Sequence, residues 1–204
     1  DPFTHKEYYQ FMAYFNNTRD EDTHAEYPLL RHFDSADSKQ LQTIVQWLQQ
    51  NNFAKEATAT KRFLKTWQPS INSIRADSFV NSELSDTKWL AFRNNASARL
   101  AHVSLEGADQ LIVRYAGSLP GGRWTIHRDS VNGPVITTVH VPKTKGWQIE
   151  KISIPLQSGT HDLYFSYTNP NLKSPIDNGM QFDWFYFTQA FPGRGKQGYD
   201  SMQK

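Results

Sequence analysis

The sequence of 204 residues contains no cysteine, and this absence excludes disulfide bonds, thiolate metal sites and a covalently attached c-type haem. No hydrophobic run approaches the roughly 20 residues that a membrane-spanning helix needs. Charge of one sign is not concentrated either, because 22 basic and 20 acidic residues are spread along the chain and leave a net charge of +2. We therefore expect no membrane span and no nucleic-acid partner, since the latter would require a basic stripe or patch.

Catalytic motifs are missing from the sequence as well. The seven histidines occur in neither a His-x-His nor a His-Glu-x-x-His spacing, and there is no Gly-x-Ser-x-Gly elbow. The acidic residues offer no motif that pairs two carboxylates, as a glycoside hydrolase requires. Gly193, Gly195 and Gly198 match Gly-x-Gly-x-x-Gly, but no βαβ pattern surrounds them. We expect a protein that is not an enzyme, with a glycoside hydrolase as the weaker alternative.

The sequence begins with two amphipathic helical patterns. The first has a capping box, in which Thr4 and Glu7 are spaced so that each side chain can bond the other residue's backbone amide. The second has Asp37 as its predicted N-cap and ends at Asn51 and Asn52. Residues at i, i+3, i+4 and i+7 supply one apolar face in each pattern: Tyr8, Phe11, Met12 and Phe15 in the first, and Leu41, Ile44, Val45 and Leu48 in the second.

Beyond Pro69 the pattern changes to short alternating runs of β-branched and aromatic residues, separated by glycine, proline, asparagine and aspartate. We predict a mainly β fold, an antiparallel β-sandwich or jelly roll, with a small N-terminal helical segment. The predicted strands are 73–79, 88–93, 98–104, 110–117, 123–129, 136–141, 148–155, 162–168 and 180–188. The expected division is residues 1–68 for the helical segment, 69–190 for the sandwich and 191–204 for a flexible tail.

Five stretches, in order along residues 74–187, carry a resemblance to a known family. They are IRADSF, GADQLIVRYAG, WTIHRDSVNGPVITTVHVPKTKGWQ, GTHDLYFSY and QFDWFYF. In these stretches the chain resembles a family 6 carbohydrate-binding module. The resemblance implies a jelly-roll sandwich and non-catalytic binding of a polysaccharide or oligosaccharide.

The opening stretch, DPFTHKEYYQFMAYFNN, is similar to the end of the cytochrome-associated domain of large planctomycete-type cytochrome proteins. Together the two resemblances imply a longer bacterial protein, exported from the cytoplasm, whose upstream and downstream domains are partners of this chain. The start at Asp1, without a methionine, leads to the same expectation of an excerpt. No Cys-x-x-Cys-His signature occurs, so we expect no haem in this chain.

The family resemblance also implies ligand-binding residues. The ring that stacks on a sugar falls on Trp147, directly after a glycine, and the second ring, usually a tyrosine, falls on Phe92. For Phe92 a place in the core is the competing interpretation. The family's asparagine before the Asp-Trp pair is replaced by Gln181, whose amide lies one methylene further from the backbone. Arg93 and Asn94, in a predicted adjoining loop, complete the set.

A structural calcium is the cofactor that the resemblance implies, with Asp77 and Asp183 as its ligands. Calcium is a hard ion that takes several oxygen ligands, which suits a pair of carboxylates. At a further acidic position of the family this sequence has Arg75, whose positive charge would oppose the ion. The alternatives are an ion pair between Arg75 and one of the two aspartates, or plain solvated carboxylates.

The departures at Phe92 and Gln181 favour a second interpretation, in which the sandwich has lost sugar binding and is a structural or interaction module. The stretch NGMQFDWFYF bears on the packing of such a module. Strand alternation places Phe182, Trp184 and Tyr186 on one face and Asp183, Phe185 and Phe187 on the other. Because rings on both faces need a cover, we predict that the N-terminal helices pack on the outer one.

Overall fold

A computed structural model of the chain describes Thr4, residues 6–10 and residues 29–204. In this part of the chain, helices α1 (Ser35–Gln50) and α2 (Ala54–Thr66) precede a curled antiparallel β-sandwich, and a short helix, α3 (Tyr199–Met202), follows it. The strands are β1 (Ile71–Asn72), β2 (Ala76–Ser85), β3 (Trp89–Ser104), β4 (Gln110–Gly117), β5 (Gly122–Arg128), β6 (Val135–Val141), β7 (Gln148–Ser153), β8 (Thr160–Thr168) and β9 (Met180–Thr188). The predicted mainly β fold is confirmed. None of the described helices is long and apolar enough to cross a membrane.

The predicted capping box near the N-terminus is confirmed. The Glu7 carboxylate accepts a hydrogen bond from the Thr4 N–H at 2.8 Å, and the Glu7 N–H donates to the Thr4 hydroxyl at 3.3 Å. Residues 6–10 are helical, as the capping box predicts. The other residues of the predicted apolar face after Tyr8 lie outside the described residues: Phe11, Met12 and Phe15.

Helix α1 has the predicted apolar face but a different N-cap. Leu41 and Leu48 are buried, and the helix ends at the predicted Asn51. The N-cap is Asp34 rather than Asp37, because Asp34 has extended backbone angles and its carboxylate accepts from the Asp37 N–H at 2.8 Å. Asp37 therefore lies in the first helical turn, where a negative side chain is also favourable.

Helix α2 was not predicted from the sequence, and it supplies the cover that the sandwich was predicted to need. Its apolar face is narrow, since only Ala57 and Phe63 are buried in a stretch rich in lysine and threonine. The Phe63 ring stacks on Tyr186 with centroids 4.4 Å apart and meets Trp184 edge-on at 5.6 Å. A helix of the N-terminal segment thus covers the outer face of β9, but it is not one of the two helices predicted from the sequence.

The strands pair in the order β6-β5-β8-β3-β9-β4-β7, with β1 also paired to β9 and β2 to β3. Strand β3 serves both halves of the sandwich, because residues 90–92 pair with β9 and residues 96–104 pair with β8. The sequence predicts two strands here, and the structure corrects them to one. A backbone irregularity at Asn95, where φ is +53°, lies within the strand and does not end it.

The core lies between the two halves of the sandwich and is rich in aromatic rings. Strand β4 shows the alternation that builds it: Leu111, Val113 and Tyr115 are buried, and the residues between them are half-buried on the outer face. The largest rings that are completely buried in this core come from four strands: Phe92, Trp124, Phe165, Tyr167, Phe182 and Phe185.

Strand β9 departs from simple alternation at Asp183. Along its ladder with β4, Arg114 is opposite Trp184 but Tyr115 is opposite Phe182, so Asp183 is an extra residue with no partner on β4. Such a β-bulge shifts the side-chain phase by one position. Phe182 and Phe185 consequently both face the core, while Trp184 faces α2. The predicted grouping of Phe182 with Trp184 is therefore wrong.

The C-terminal residues pack against α1, whereas the sequence predicts a flexible tail for 191–204. The Trp47 indole N–H donates to the carbonyl of Gln197 at 2.8 Å, and the Trp47 ring stacks on Phe191 with centroids 5.8 Å apart. Gly193, with φ of +92°, passes so close that an added Cβ would lie 2.7 Å from the Trp47 ring. Two glycines of the Gly-x-Gly-x-x-Gly match, Gly193 and Gly198, thus bring the backbone close to the Trp47 side chain.

Candidate functional site

Gln181 lies on the outer face of the sheet half formed by β3, β9 and β4. Its neighbours across the two ladders are Ala91 on β3 and Ala116 on β4. Both are small, so the half-buried amide of Gln181 is flanked by side chains too short to rise above it. Arg93 and Arg114, each two residues from one of these alanines, belong to the same face by strand alternation.

Trp147 lies at the edge of this face, one residue before β7 begins. The residue before it, Gly146, has φ of +136°. The Trp147 ring is half-buried and lies on the Arg114 guanidinium, with 4.8 Å between the guanidinium carbon and the ring centroid. Its other neighbour is the Trp89 ring, tilted by 46° with centroids 5.6 Å apart. Since this distance is direct ring contact, no sugar ring fits between the two tryptophans.

Arg114 is held by an ion pair with Asp183, the extra residue of the β9 bulge. The carboxylate is buried, with only 4% of the residue exposed. Burial raises the pKa of the Asp183 carboxyl, while the guanidinium of Arg114 acts in the opposite direction. A buried carboxylate needs such a partner, because an isolated charge is strongly disfavoured away from water. The position of Arg114 is thus tied to that of Asp183.

Phe92, predicted as the second stacking ring, belongs to the core. It has no exposed surface, stacks on Tyr167 with centroids 6.2 Å apart, and meets Phe182 edge-on at 5.6 Å. Its position on β3, opposite Met180, gives the reason, because Met180 and Phe182 both face inward on β9. A ligand outside the sandwich cannot reach this ring, so the core interpretation is the correct one.

Arg93 and Asn94, the remaining predicted ligand contacts, both have partners within the chain. The Arg93 guanidinium forms a salt bridge with Glu83 at 2.6 Å on the outer face. The side-chain oxygen of Asn94 accepts from the backbone N–H groups of Asn169 at 2.8 Å and Asn95 at 3.1 Å. Asn94 therefore braces a loop, and Arg93 borders the face that carries Gln181.

The predicted calcium ligands are each paired with an arginine. Both Asp77 oxygens accept from Arg99 at 2.7 Å, which holds the pKa of the Asp77 carboxyl below its usual value. Asp183 is paired with Arg114, so the alternative of an ion pair holds with arginines other than Arg75. Among the described residues no group of three or more acidic or histidine side chains could hold a metal. Calcium at these carboxylates stays a prediction that this geometry does not support.

Two residues of the outer face, Trp89 and Arg114, were not predicted from the sequence. Trp89 lies two positions before Ala91 on β3, so strand alternation alone could have placed its ring beside the predicted site. Arg114 is a single charged residue within the apolar run LIVRYAG. Asp183 is likewise a single acid among the rings of its strand. One isolated charge of each sign in two apolar strands is the signal that could have predicted a cross-strand ion pair.

A second polar surface lies on the outer face of the other sheet half. Arg99, Tyr164 and His127 are neighbours across β3, β8 and β5. Their polar groups are engaged within the chain, since Arg99 forms a salt bridge with Asp162 at 3.1 Å and a His127 ring nitrogen lies 3.2 Å from the Ser166 hydroxyl. Among the described residues, no half-buried ring pair like that of Trp89 and Trp147 lies on this surface.

A comparison with known families matches residues 74–189, more than half of the chain, to the model described as carbohydrate binding module (family 6). The matched span begins after helix α2 and runs through β2–β9. It contains Trp147 and Gln181 but not Trp67 or the helices. Helix α2, which covers the outer face of β9, thus lies outside the residues that match the family model.

Solved structures similar to this chain include several modules of the same kind. CsCBM6-3 from Clostridium stercorarium in complex with cellobiose is 17% identical, with a TM-score of 0.49, over 59% of this chain and 92% of that chain. A β-1,3-glucan binding CBM6 from Bacillus halodurans is 26% identical, with a TM-score of 0.49, over 58% and 93%. A family 43 arabinoxylan arabinofuranohydrolase from Bacillus subtilis is 22% identical, with a TM-score of 0.44, over 50% of this chain; the match spans only 21% of that enzyme.

Proposed function

Because the chain belongs to the family 6 carbohydrate-binding modules, we propose that it binds a polysaccharide or oligosaccharide through the outer face around Trp147 and Gln181. The observation that carries this proposal is the half-buried Trp147 ring, which lies at the edge of a face whose centre is an amide between two alanines. An indole and an amide supply the two kinds of contact that a sugar needs. The ring receives the apolar C–H face, and the amide bonds hydroxyl groups.

The geometry favours stacking on one ring rather than between two. One face of Trp147 is covered by Arg114, and Trp89 contacts the ring directly. Phe92 is buried and leaves no second ring at its predicted place. We infer that a sugar lies flat against the remaining face of Trp147, with Gln181 and Arg93 as candidate hydrogen-bond donors.

Calorimetric titration with soluble cello-, xylo- and β-1,3-gluco-oligosaccharides tests this proposal. The variant Trp147→Ala should bind about tenfold more weakly, since one stacked ring contributes up to about 1.5 kcal/mol. Leu156→Ala is a matched control, because Leu156 is also apolar and 74% exposed but follows the far end of β7. The proposal fails if the wild type binds none of these glycans at millimolar concentration, or if Trp147→Ala binds as well as the wild type.

A structural module without sugar binding is the second candidate function. The contact between the Trp89 and Trp147 rings favours it, because the two rings bury part of each other's surface. The packing of α2 on β9 and of the C-terminal tail on α1 is consistent with a role in linking neighbouring domains. Absence of glycan binding by the wild type, together with capture of an adjacent domain of the same polypeptide, would support this second function.

We also propose a location outside the cytoplasm and upstream and downstream domains in a longer polypeptide. The support is the resemblance of residues 1–17 to the end of a cytochrome-associated domain and of residues 74–187 to a family 6 carbohydrate-binding module. Fractionation of the source cells, with detection by an antibody against this chain, tests the location. Recovery of the protein only in the cytoplasmic fraction would contradict it.

A further inference from the structure

A column of alternating rings and guanidinium groups runs from the helical segment to the candidate sugar site. The guanidinium carbon of Arg31 lies 5.3 Å from the ring centroids of both Phe33 and Trp67. That of Arg114 lies 4.9 Å from Trp67 and 4.8 Å from Trp147. Each arginine is thus within cation–π distance of two rings. We call the last three members, Trp67, Arg114 and Trp147, the Trp-Arg-Trp stack.

The two ends of the Trp-Arg-Trp stack belong to different parts of the chain. Trp67 is the C-cap of α2, with a left-handed backbone, and its N–H donates to the Phe63 carbonyl at 2.7 Å. Its ring also contacts Trp184 on the outer face of β9, with centroids 5.5 Å apart. Trp67 is therefore fixed by the end of a helix and by the sheet, independently of the loop that carries Trp147.

The middle member of the stack is fixed as well. Arg114 projects from β4 and is bound by the buried carboxylate of Asp183. A guanidinium is planar and offers its edge to a carboxylate while both of its faces remain free for aromatic rings. Asp183 therefore anchors one edge of the guanidinium, and the ring centroids of Trp67 and Trp147 lie 4.9 Å and 4.8 Å from its central carbon.

We propose that Trp67, which lies outside the matched family span, is a positioning residue for the sugar site: it holds the Arg114 guanidinium against Trp147 and so sets the orientation of the Trp147 ring. This inference rests on the proposed function, because it concerns the ring proposed to stack on the sugar. Through Trp67, the helical segment then influences the orientation of a ring on the binding surface. The alternative is that α2 only covers the outer face of β9 and has no influence on Trp147.

The environment of Trp147 can be measured without any ligand by ¹⁹F NMR of the chain labelled with 5-fluorotryptophan. The sequence has six tryptophans, so six resonances are expected, and single Trp-to-Phe changes identify them. Two variants disturb the stack in different ways. Trp67→Leu removes the ring that lies on Arg114, and Arg114→Lys keeps the charge beside Asp183 but removes the planar group.

The proposal predicts that the Trp147 resonance shifts or broadens in both Trp67→Leu and Arg114→Lys. Trp124 is completely buried in the core, so its unchanged resonance shows that each variant is folded. Trp47→Phe is the matched control, because Trp47 is also a tryptophan of the helical segment but packs on Phe191 in the tail. An unchanged Trp147 resonance in Trp67→Leu would overturn the inference even if Arg114→Lys shifts it, because Arg114 contacts Trp147 directly. An equal shift in Trp47→Phe would also overturn it.

Glycan titration of the same variants separates this inference from the proposed function. If the wild type binds a glycan, Trp67→Leu should weaken binding by about threefold to tenfold, as expected for the loss of one cation–π contact that orders the ring. Trp47→Phe should bind as the wild type does. If the wild type binds no glycan, the proposed function fails, and the ¹⁹F result still decides whether Trp67 orders Trp147. Unaltered affinity in Trp67→Leu beside a clear loss in Trp147→Ala would refute the positioning role alone.

Discussion

Replacing Arg114 with methionine should destabilise the fold in a strongly pH-dependent way. Methionine is close in length to the arginine stem, so the change removes the guanidinium while leaving most of the apolar packing in place. It also leaves Asp183 without its ion-pair partner in a position where 4% of the residue is exposed. The unpaired carboxylate then either stays charged in a poorly hydrated position or takes up a proton.

Two limits determine the magnitude of this loss. Removing one partner of a buried ion pair typically destabilises a protein by about 3–5 kcal/mol. Protonation limits the loss, because neutralising an ordinary carboxyl group at pH 7 requires about 4 kcal/mol, at about 1.4 kcal/mol per pH unit. We therefore expect Arg114→Met to lower the free energy of unfolding by about 3–4 kcal/mol at pH 7. At pH 5 the same protonation requires only about 1.5 kcal/mol, so the loss should fall to about that value.

The direction of the pH dependence follows from the two influences on Asp183. In the wild type the Arg114 guanidinium lowers the pKa of the Asp183 carboxyl, and burial raises it. Arg114→Met removes the first influence and keeps the second, so the pKa rises. A carboxyl whose pKa is higher in the folded state binds its proton more tightly there than in the unfolded chain. Its contribution to stability is fully present below the unfolded pKa and is lost as the pH rises through the folded pKa.

Urea denaturation followed by tryptophan fluorescence at pH 5 and pH 7 measures both values. The matched control is the double variant Arg114→Met with Asp183→Asn, which has no carboxylate to bury. Its stability relative to the wild type should change much less between the two pH values than that of Arg114→Met. A loss below about 1 kcal/mol at pH 7, or the same loss at both pH values, would show that Asp183 is not a buried partner of Arg114.

Three further outcomes follow from the packing. Phe63→Ala should lower the free energy of unfolding by about 2–4 kcal/mol in urea denaturation, because the ring covers Tyr186; a loss below about 1 kcal/mol would mean that α2 does not dock there. Gly122→Ala should destabilise by about 1–3 kcal/mol in thermal denaturation, since its Cβ would lie 2.5 Å from the Tyr167 hydroxyl; an unchanged midpoint would contradict this contact. A chelator should leave the melting temperature unchanged, because both predicted calcium ligands are paired with arginines, whereas a lower value would support calcium.

Much of the fold could be predicted because strand alternation is a local property. Strand β4 alternates half-buried and buried residues along its whole length, and its predicted bounds, 110–117, agree with the structure. Helix α2 was missed for the opposite reason: Phe63 is one of only two buried residues in a polar stretch, so no apolar periodicity marks it. Its position depends on rings of β9 that are remote in sequence, and local patterns carry no information about such contacts.

The candidate site could be predicted only in part. Trp147 and Gln181 were found by resemblance, and the structure places both at the same outer face. The prediction that Phe92 contacts the ligand is wrong, because the family's ring position coincides here with an inward position of β3. Trp67 lies before the matched span, so no resemblance to the module could have connected it with the site. Its role emerges only when the end of α2 is seen to contact β4.

The bulge at Asp183 and its ion pair with Arg114 together explain why an acid interrupts the rings of NGMQFDWFYF. One extra residue in β9 allows Phe182 and Phe185 both to enter the core, and it turns Trp184 toward the helical segment. The same residue supplies the carboxylate that fixes Arg114 beneath Trp147. A neutral residue at this position would still permit the bulge, but it would leave a guanidinium without its counter-charge under the proposed sugar platform. The acid thus connects the packing of the strand with the geometry of the binding surface.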